Sequence, residues 1–357
     1  MTISIFITFA IIGLIEFYSN KSIVKYNFIP FIATVSFFLL FFWNLSYFTD
    51  KYNYEVMFDN IDAYNTDFLY TTFVKFWHKN NWDFDKLYRF HILIISIFFA
   101  SFIFKFTRRG VFVVLIICCF RFVDFGNQIR YFFGFFIALN ALYYFIVGKK
   151  YLLASILGVI SILSHSSLII LYIIPLLYKW ISQLTIKKIL LLNILILTLL
   201  GIITTTVLRI FPQFSKYLLN ENLKSSFWGG LFDIFPIIFI IWAIFQRHTF
   251  FVKNGNMILE DKKYKFLFTI SNFAFLFISM GIFYRIFNDR LVFSFSLVWL
   301  CYFIYCFEKY PPKKSLYQKN KIILLFSALI GWFYFATYFV LGRNYYLEEA
   351  LLMLNIK

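Results

Sequence analysis

Residues 127–168 read NQIRYFFGFFIALNALYYFIVGKKYLLASILGVISILSHSSL: a polar cluster, an apolar span, Gly148-Lys149-Lys150, a second apolar span, then Ser164-His165-Ser166-Ser167. Two hydrophobic helices joined by a short basic turn return the chain to the side it left. Arg130 and His165 are then expected near the same membrane surface. Arginine and histidine at the ends of apolar spans are costly to place there, so they mark a candidate site.

Outward from that stretch the chain keeps the same character. Its 357 residues are 62% hydrophobic, 24% aromatic and 14% charged, where soluble domains are about half apolar and about a quarter charged. A helix needs roughly 20 apolar residues to cross the hydrocarbon core. Apolar runs of about that size fall at 3–19, 28–48, 90–106, 111–125, 129–147, 151–165, 166–181, 189–209, 231–247, 264–284, 290–307 and 322–341. The expected fold is an all-α polytopic membrane protein of about twelve transmembrane helices, one transmembrane domain over residues 1–357. Met1–Thr2 precede the first run without a basic stretch, and no cleavable signal is expected.

The net charge of +17 sits in short clusters between the apolar runs. That pattern belongs to charge-guided topology rather than to nucleic-acid binding. With 20–27 on the cytoplasmic side, the connections alternating there carry 20 of the 34 lysines and arginines but 4 of the 17 acidic residues. Both termini are thereby expected outside. Cys118, Cys119, Cys301 and Cys306 all lie within apolar runs and read as small packing residues.

The largest outer connection, 49–89, mixes seven carboxylates with many aromatics and has neither proline nor glycine. Residues 68–77 within it have the spacing of an amphipathic helix lying on a membrane. Carboxylates and aromatic platforms suit a sugar-binding surface, and equally a solvated cap. A second outer loop, 209–233, is broken by Pro212 and Gly229–Gly230.

This topology gathers polar residues at the outer ends of helices: Asp50, Tyr52 and Tyr54; Arg121, Gln128 and Arg130; His165; and Arg285, Asp289 and Arg290. A guanidinium is a planar fork of donors, always charged, and suits phosphate better than an ammonium does. Arg130, Arg285 and Arg290 are the expected clamp for a lipid pyrophosphate. The other reading has each one snorkelling or pairing locally, as Arg290 with Asp289 or Arg121 with Asp124. His165 reads as a general base or a donor to an oxyanion, or as a histidine bonded to a neighbouring carbonyl. Gln128, Tyr52, Tyr54, Arg121 and Asp289 are the expected substrate contacts. His91 stands at a loop edge and reads as incidental. The chain has no phosphate-binding glycine loop and no His-Glu-x-x-His motif, so no cofactor or metal is expected.

Gln128-Ile129-Arg130 opening one helix, the Gly-Lys-Lys turn and Ser164-His165-Ser166-Ser167 closing the next resemble the EpsG family of Wzy-type polysaccharide polymerases. Asp50-x-Tyr52-x-Tyr54-x-x-x-Phe58 and the turn from Tyr284-Arg285 to Arg290 are similar to further parts of that pattern. The chain departs from it in the bulky Tyr131-Phe132-Phe133 and in Asp67-Phe68, which stands where the family often has a Glu-Pro pair. The resemblance implies a GT-C-like architecture in a bacterial plasma membrane, with an outward-facing site. Its activity would extend a capsule, exopolysaccharide or O-antigen by moving the growing glycan from undecaprenyl pyrophosphate onto the next lipid-linked repeat unit. That donor bond is already activated. His165 or Asp50 would accept the proton of the attacking hydroxyl, and a flippase and a chain-length regulator would be partners. Two other readings use the same residues: a transporter of lipid-linked oligosaccharide, and a membrane O-acyltransferase with His165 as base.

Overall fold

The computed structural model describes residues 3–19, 28–43, 49–63, 67–210, 224–255, 257–310 and 315–335. The described residues form helices and no strand, apart from one isolated antiparallel pairing of Lys224 with Tyr284. They fall into two compact units divided between Leu176 and Leu177.

The first unit holds α1 (Ile3–Tyr18), α2 (Phe28–Phe42), α3 (Thr49–Asp59), α4 (Phe68–Lys79), α5 (Phe84–Ile103), α6 (Gly110–Asn127), α7 (Ile129–Ile146) and α8 (Tyr151–Ser164). A 3₁₀ helix, Ser166–Tyr172, leads into α9 (Ile173–Ser182). The Gly-Lys-Lys turn forms as expected, with Lys149 left-handed at φ 51° and the Lys150 N–H bonded to the Tyr144 carbonyl at 2.9 Å. In α4, Tyr70, Val74 and Trp77 are buried while Phe68 and Phe76 are exposed, the one-sided pattern of an amphipathic helix. Asn81, left-handed at φ 55°, ends α4, and Asp83 caps α5 by accepting the Lys86 N–H at 2.9 Å.

Polar groups tie these helices where apolar packing alone would let them slide. Asn140, fully buried in α7, donates to the carbonyls of Phe98 (2.9 Å) and Phe136 (2.8 Å), and its Oδ1 accepts from Lys105 Nζ. The α1–α6 pair is capped reciprocally. The Arg109 guanidinium donates to the carbonyls of Glu16 (2.7 Å), Phe17 and Ser19 (3.1 Å). The Glu16 carboxylate accepts the Phe112 N–H at 2.9 Å. The last carbonyls of one helix and an early N–H of the other are thus satisfied without water.

The second unit holds α10 (Ile186–Thr198), α11 (Leu200–Ile210), α12 (Phe227–Lys253), α13 (Lys262–Phe275), α14 (Ile278–Phe283), α15 (Ser296–Lys309) and α16 (Ser315–Phe335). Proline inside a helix deprives the carbonyl four residues earlier of its donor. Pro236 does this to Phe232 in α12, and the Trp332 indole N–H takes up that carbonyl at 2.8 Å. Gly230 lets α12 meet α14: a Cβ there would lie 1.8 Å from the Ile282 carbonyl oxygen.

The expected span 264–284 is broken between Phe275 and Ile278. Asn193 of α10 fills the break. Its Nδ2 donates to the Phe275 carbonyl (2.9 Å), and its Oδ1 accepts the Ser279 N–H (2.9 Å) and hydroxyl (2.9 Å). Non-helical backbone survives within an apolar layer only where protein supplies such partners. The expected span 189–209 bends by 65° at Leu199. Among the described residues, four helical stretches suffice by length and composition to cross a membrane: Phe84–Ile103, Ile129–Ile146, Phe227–Lys253 and Arg285–Lys309. The bent pair brings the number to five. Several shorter apolar helices accompany them, and the architecture is that of an all-α, multi-pass membrane protein.

Candidate active site

In the first unit Tyr54 of α3 and the start of α4 converge with the start of α7 and the end of α8. Arg130 is the second residue of α7. Its guanidinium lies over the rings of Tyr54 (5.0 Å) and Tyr70 (5.2 Å), and its Nη1 is 3.3 Å from Asp67 Oδ2. The two charged side chains are 16% and 15% exposed, sheltered enough that removing either partner would strand the other's charge. The Tyr70 hydroxyl donates to the Tyr54 carbonyl at 3.0 Å and fixes the two rings as one platform. Burial pushes the Tyr70 phenol above its ordinary range, against the opposing pull of Arg130, so it stays neutral beneath the guanidinium.

Asp67 does more than neutralise Arg130. Its Oδ1 accepts the Ser166 backbone N–H at 3.2 Å, so one carboxylate joins the start of α7 to the Ser-His-Ser-Ser segment. His165 is buried there, edge-on to Tyr131 at 5.5 Å, and its Nδ1 shares a 2.9 Å hydrogen bond with the Ser167 hydroxyl. The Ser164 hydroxyl donates to the Ser161 carbonyl at 3.0 Å and reaches the Arg130 carbonyl at 3.5 Å. Arg130 and His165 thus belong to one bonded cluster. Arg130 Nε and Gln128 Oε1 are buried with no hydrogen-bond partner among the described residues. A buried donor of a charged group without a partner is costly unless something else supplies one.

Other expected site residues fall differently. Tyr54 is in the platform, whereas Tyr52 is 60% exposed on α3. Asp50 and Arg121 lie in α3 and α6, but their side chains are outside the described residues. Arg285, Asp289 and Arg290 belong to the second unit, on the irregular backbone between α14 and α15. Arg285 Nε lies 3.5 Å from Asp289 Oδ2, and in the same turn the Asn288 amide donates to the buried Asp233 carboxylate at 3.1 Å.

Three residues escape the sequence reading: Asp67, Tyr70 and Asp233. Asp67 carried a signal, because it opens the amphipathic helix and replaces the Glu-Pro pair of the resembled pattern. Tyr70 carried only its place on the apolar stripe of that helix. His91 is no loop-edge residue: it is buried in α5, its Nδ1 is 2.8 Å from the Leu87 carbonyl, and its ring packs on Tyr70 and Phe133. It supports the platform from beneath.

No curated protein and no solved structure gives a significant match to the chain. A family model, that of the EpsG family, matches residues 27–348. The match takes in both units and every segment of the cluster around Arg130. The chain therefore belongs to the EpsG family, whose members are Wzy-type polysaccharide polymerases.

Proposed function

We propose that the chain joins undecaprenyl-pyrophosphate-linked oligosaccharide repeat units into a surface polysaccharide, using the Arg130–His165 cluster as its reaction centre. One observation carries the reading: Asp67 bonds both Arg130 and the segment that holds His165. A lipid-linked donor needs an anion-stabilising group and a proton acceptor close together, and this arrangement supplies both kinds. In the proposed step the acceptor hydroxyl attacks the anomeric carbon, and the bond to the pyrophosphate oxygen breaks. Negative charge growing on that oxygen meets the Arg130 guanidinium. The proton passes to His165 Nε2, which accepts it when Nδ1–H donates to the Ser167 hydroxyl and so fixes the tautomer. A single displacement inverts the anomeric centre, and a polymer with retained configuration would sink that part.

The proposal includes the finer topology: about twelve spans in a bacterial plasma membrane, the site facing outward, and a flippase and chain-length regulator as partners. Asp50 is the alternative proton acceptor to His165; Tyr52, Tyr54, Gln128 and Arg121 of the first unit and Asp289 of the second are assigned to substrate, and Arg285 and Arg290 of the second to pyrophosphate. The test is reconstitution in liposomes with lipid-linked repeat units, without nucleotide or added metal, and products resolved by size. A ladder is expected. Arg130→Ala and His165→Ala should each abolish it while the protein remains monodisperse, and normal ladders from both variants would overturn the reading. Repeats moved across the bilayer but never lengthened would identify a transporter instead.

A further inference from the structure

Asp67 has the residue type and the extended backbone (φ −63°, ψ 140°) of a helix N-cap. Its carbonyl accepts the first bond of α4, from the Thr71 N–H at 3.1 Å. An aspartate so placed ordinarily turns its carboxylate onto the N–H of the second or third helical residue, here Leu69 or Tyr70. Asp67 makes no such capping bond. Its two oxygens are spent on Arg130 and on the Ser166 N–H instead.

Those two donors, a planar guanidinium and a backbone N–H, are what phosphate oxygens take. Arg130 Nε stays buried without a hydrogen-bond partner among the described residues, so the carboxylate leaves part of the fork unused. A pyrophosphate brings more oxygens and more charge than one carboxylate. We propose that Asp67 is the resting occupant of an oxyanion site made by Arg130 and the Ser166 N–H, and that a phosphate group of the substrate displaces it onto the N-cap of α4. The inference rests on the reading of Arg130 as a pyrophosphate residue.

The exchange needs only side-chain rotation, because the Asp67 backbone already has the capping conformation. No charge is stranded by it. As phosphate takes the guanidinium, the carboxylate moves to the N–H groups at the positive end of a helix of 12 residues. Substrate binding then tightens the first turn of α4, and that turn carries Tyr70, on whose ring Arg130 lies. Without substrate, Asp67 keeps a sheltered guanidinium compensated, which removal of either partner would undo.

The experiment is binding of inorganic pyrophosphate and of undecaprenyl pyrophosphate to the full chain in detergent, by calorimetry, for wild type and for Asp67→Asn, Asp67→Ser and Arg130→Ala. Asn and Ser both cap helices and neither competes as an anion. Size-exclusion profiles show which variants are folded, and either Asp67 variant suffices. Each Asp67 variant is expected to bind about tenfold tighter, the change when one charge-assisted contact no longer has to be given up first. A gain with both probes, or with the lipid alone, supports the exchange; the lipid alone marks lipid-borne phosphate as the displacing group. Unchanged or weaker binding by the Asp67 variants, with Arg130→Ala binding lost, makes Asp67 a strut and overturns the inference while the Arg130 reading stands. Undiminished binding by Arg130→Ala overturns both.

Discussion

Gly134 of α7 faces Ser164 of α8 so closely that a Cβ on the glycine would lie 2.1 Å from the serine hydroxyl oxygen and 2.9 Å from the Ser161 carbonyl. The approach sets the spacing of the two helices that carry Arg130 and His165. Gly134→Val must push them apart, at a cost of about 2 kcal/mol, as overpacking generally does. The variant should insert and purify, unfold at lower temperature in detergent, and lose most of its polymer ladder. A full-length ladder from Gly134→Val would show that the spacing is irrelevant to the reaction.

The Tyr70 ring and hydroxyl have separate tasks, and substitution separates them. Tyr70→Phe keeps the ring under Arg130 but leaves the Tyr54 carbonyl without that donor, costing about 1 kcal/mol. Polymer yield should change little. Tyr70→Ala removes the ring as well and should weaken lipid-substrate binding by several-fold, measured as a rise in KM.

Tyr70 also gives a signed pH dependence. Burial raises its phenol above the usual range, so folded and unfolded chains both keep the proton below about pH 10. Above that the unfolded chain ionises first, and stability falls as pH climbs. Thermal unfolding of wild type should decline more steeply than that of Tyr70→Phe in this alkaline window, and parallel curves would refute the assignment.

Ser167→Ala leaves His165 in place but removes the partner of its Nδ1. If that bond fixes the tautomer, kcat should drop about tenfold or more with KM unmoved, as when the group orienting a catalytic imidazole is lost. A change confined to KM would make Ser167 a substrate contact.

Asn193→Leu removes the side-chain hydrogen bonds by which Asn193 spans the break between α13 and α14, to the Phe275 carbonyl and to the Ser279 N–H and hydroxyl. Individual bonds of this kind are modest within membranes, but several lost together should cost about 2 kcal/mol. A clear drop in unfolding temperature is expected, with chain insertion unaffected.

The long apolar helices and the Gly-Lys-Lys turn were legible because hydropathy and turn chemistry act locally. The amphipathic stripe of α4 was legible for the same reason. The breaks at Leu199 and Phe275–Ile278 were not, since apolar residues run straight through both. What settles the second is Asn193, 82 residues before its Phe275 partner. Arg130 and His165 stood out by being costly where they are. Asp67 stood out only as a departure from the resembled pattern at the head of an amphipathic helix; its partners were not legible, because nothing in its neighbourhood along the chain tells of an N–H donor 99 residues later.

The caps between α1 and α6 carry a consequence for synthesis. Arg109 serves carbonyls 90 to 93 positions earlier in the chain. While those intervening residues are being made, the end of α1 has no Arg109 guanidinium to bind. The first helix is therefore expected to settle only after Arg109 has emerged. Nascent chains stalled before residue 109 should leave α1 extractable by mild alkaline wash, and chains stalled beyond α6 should hold it firmly.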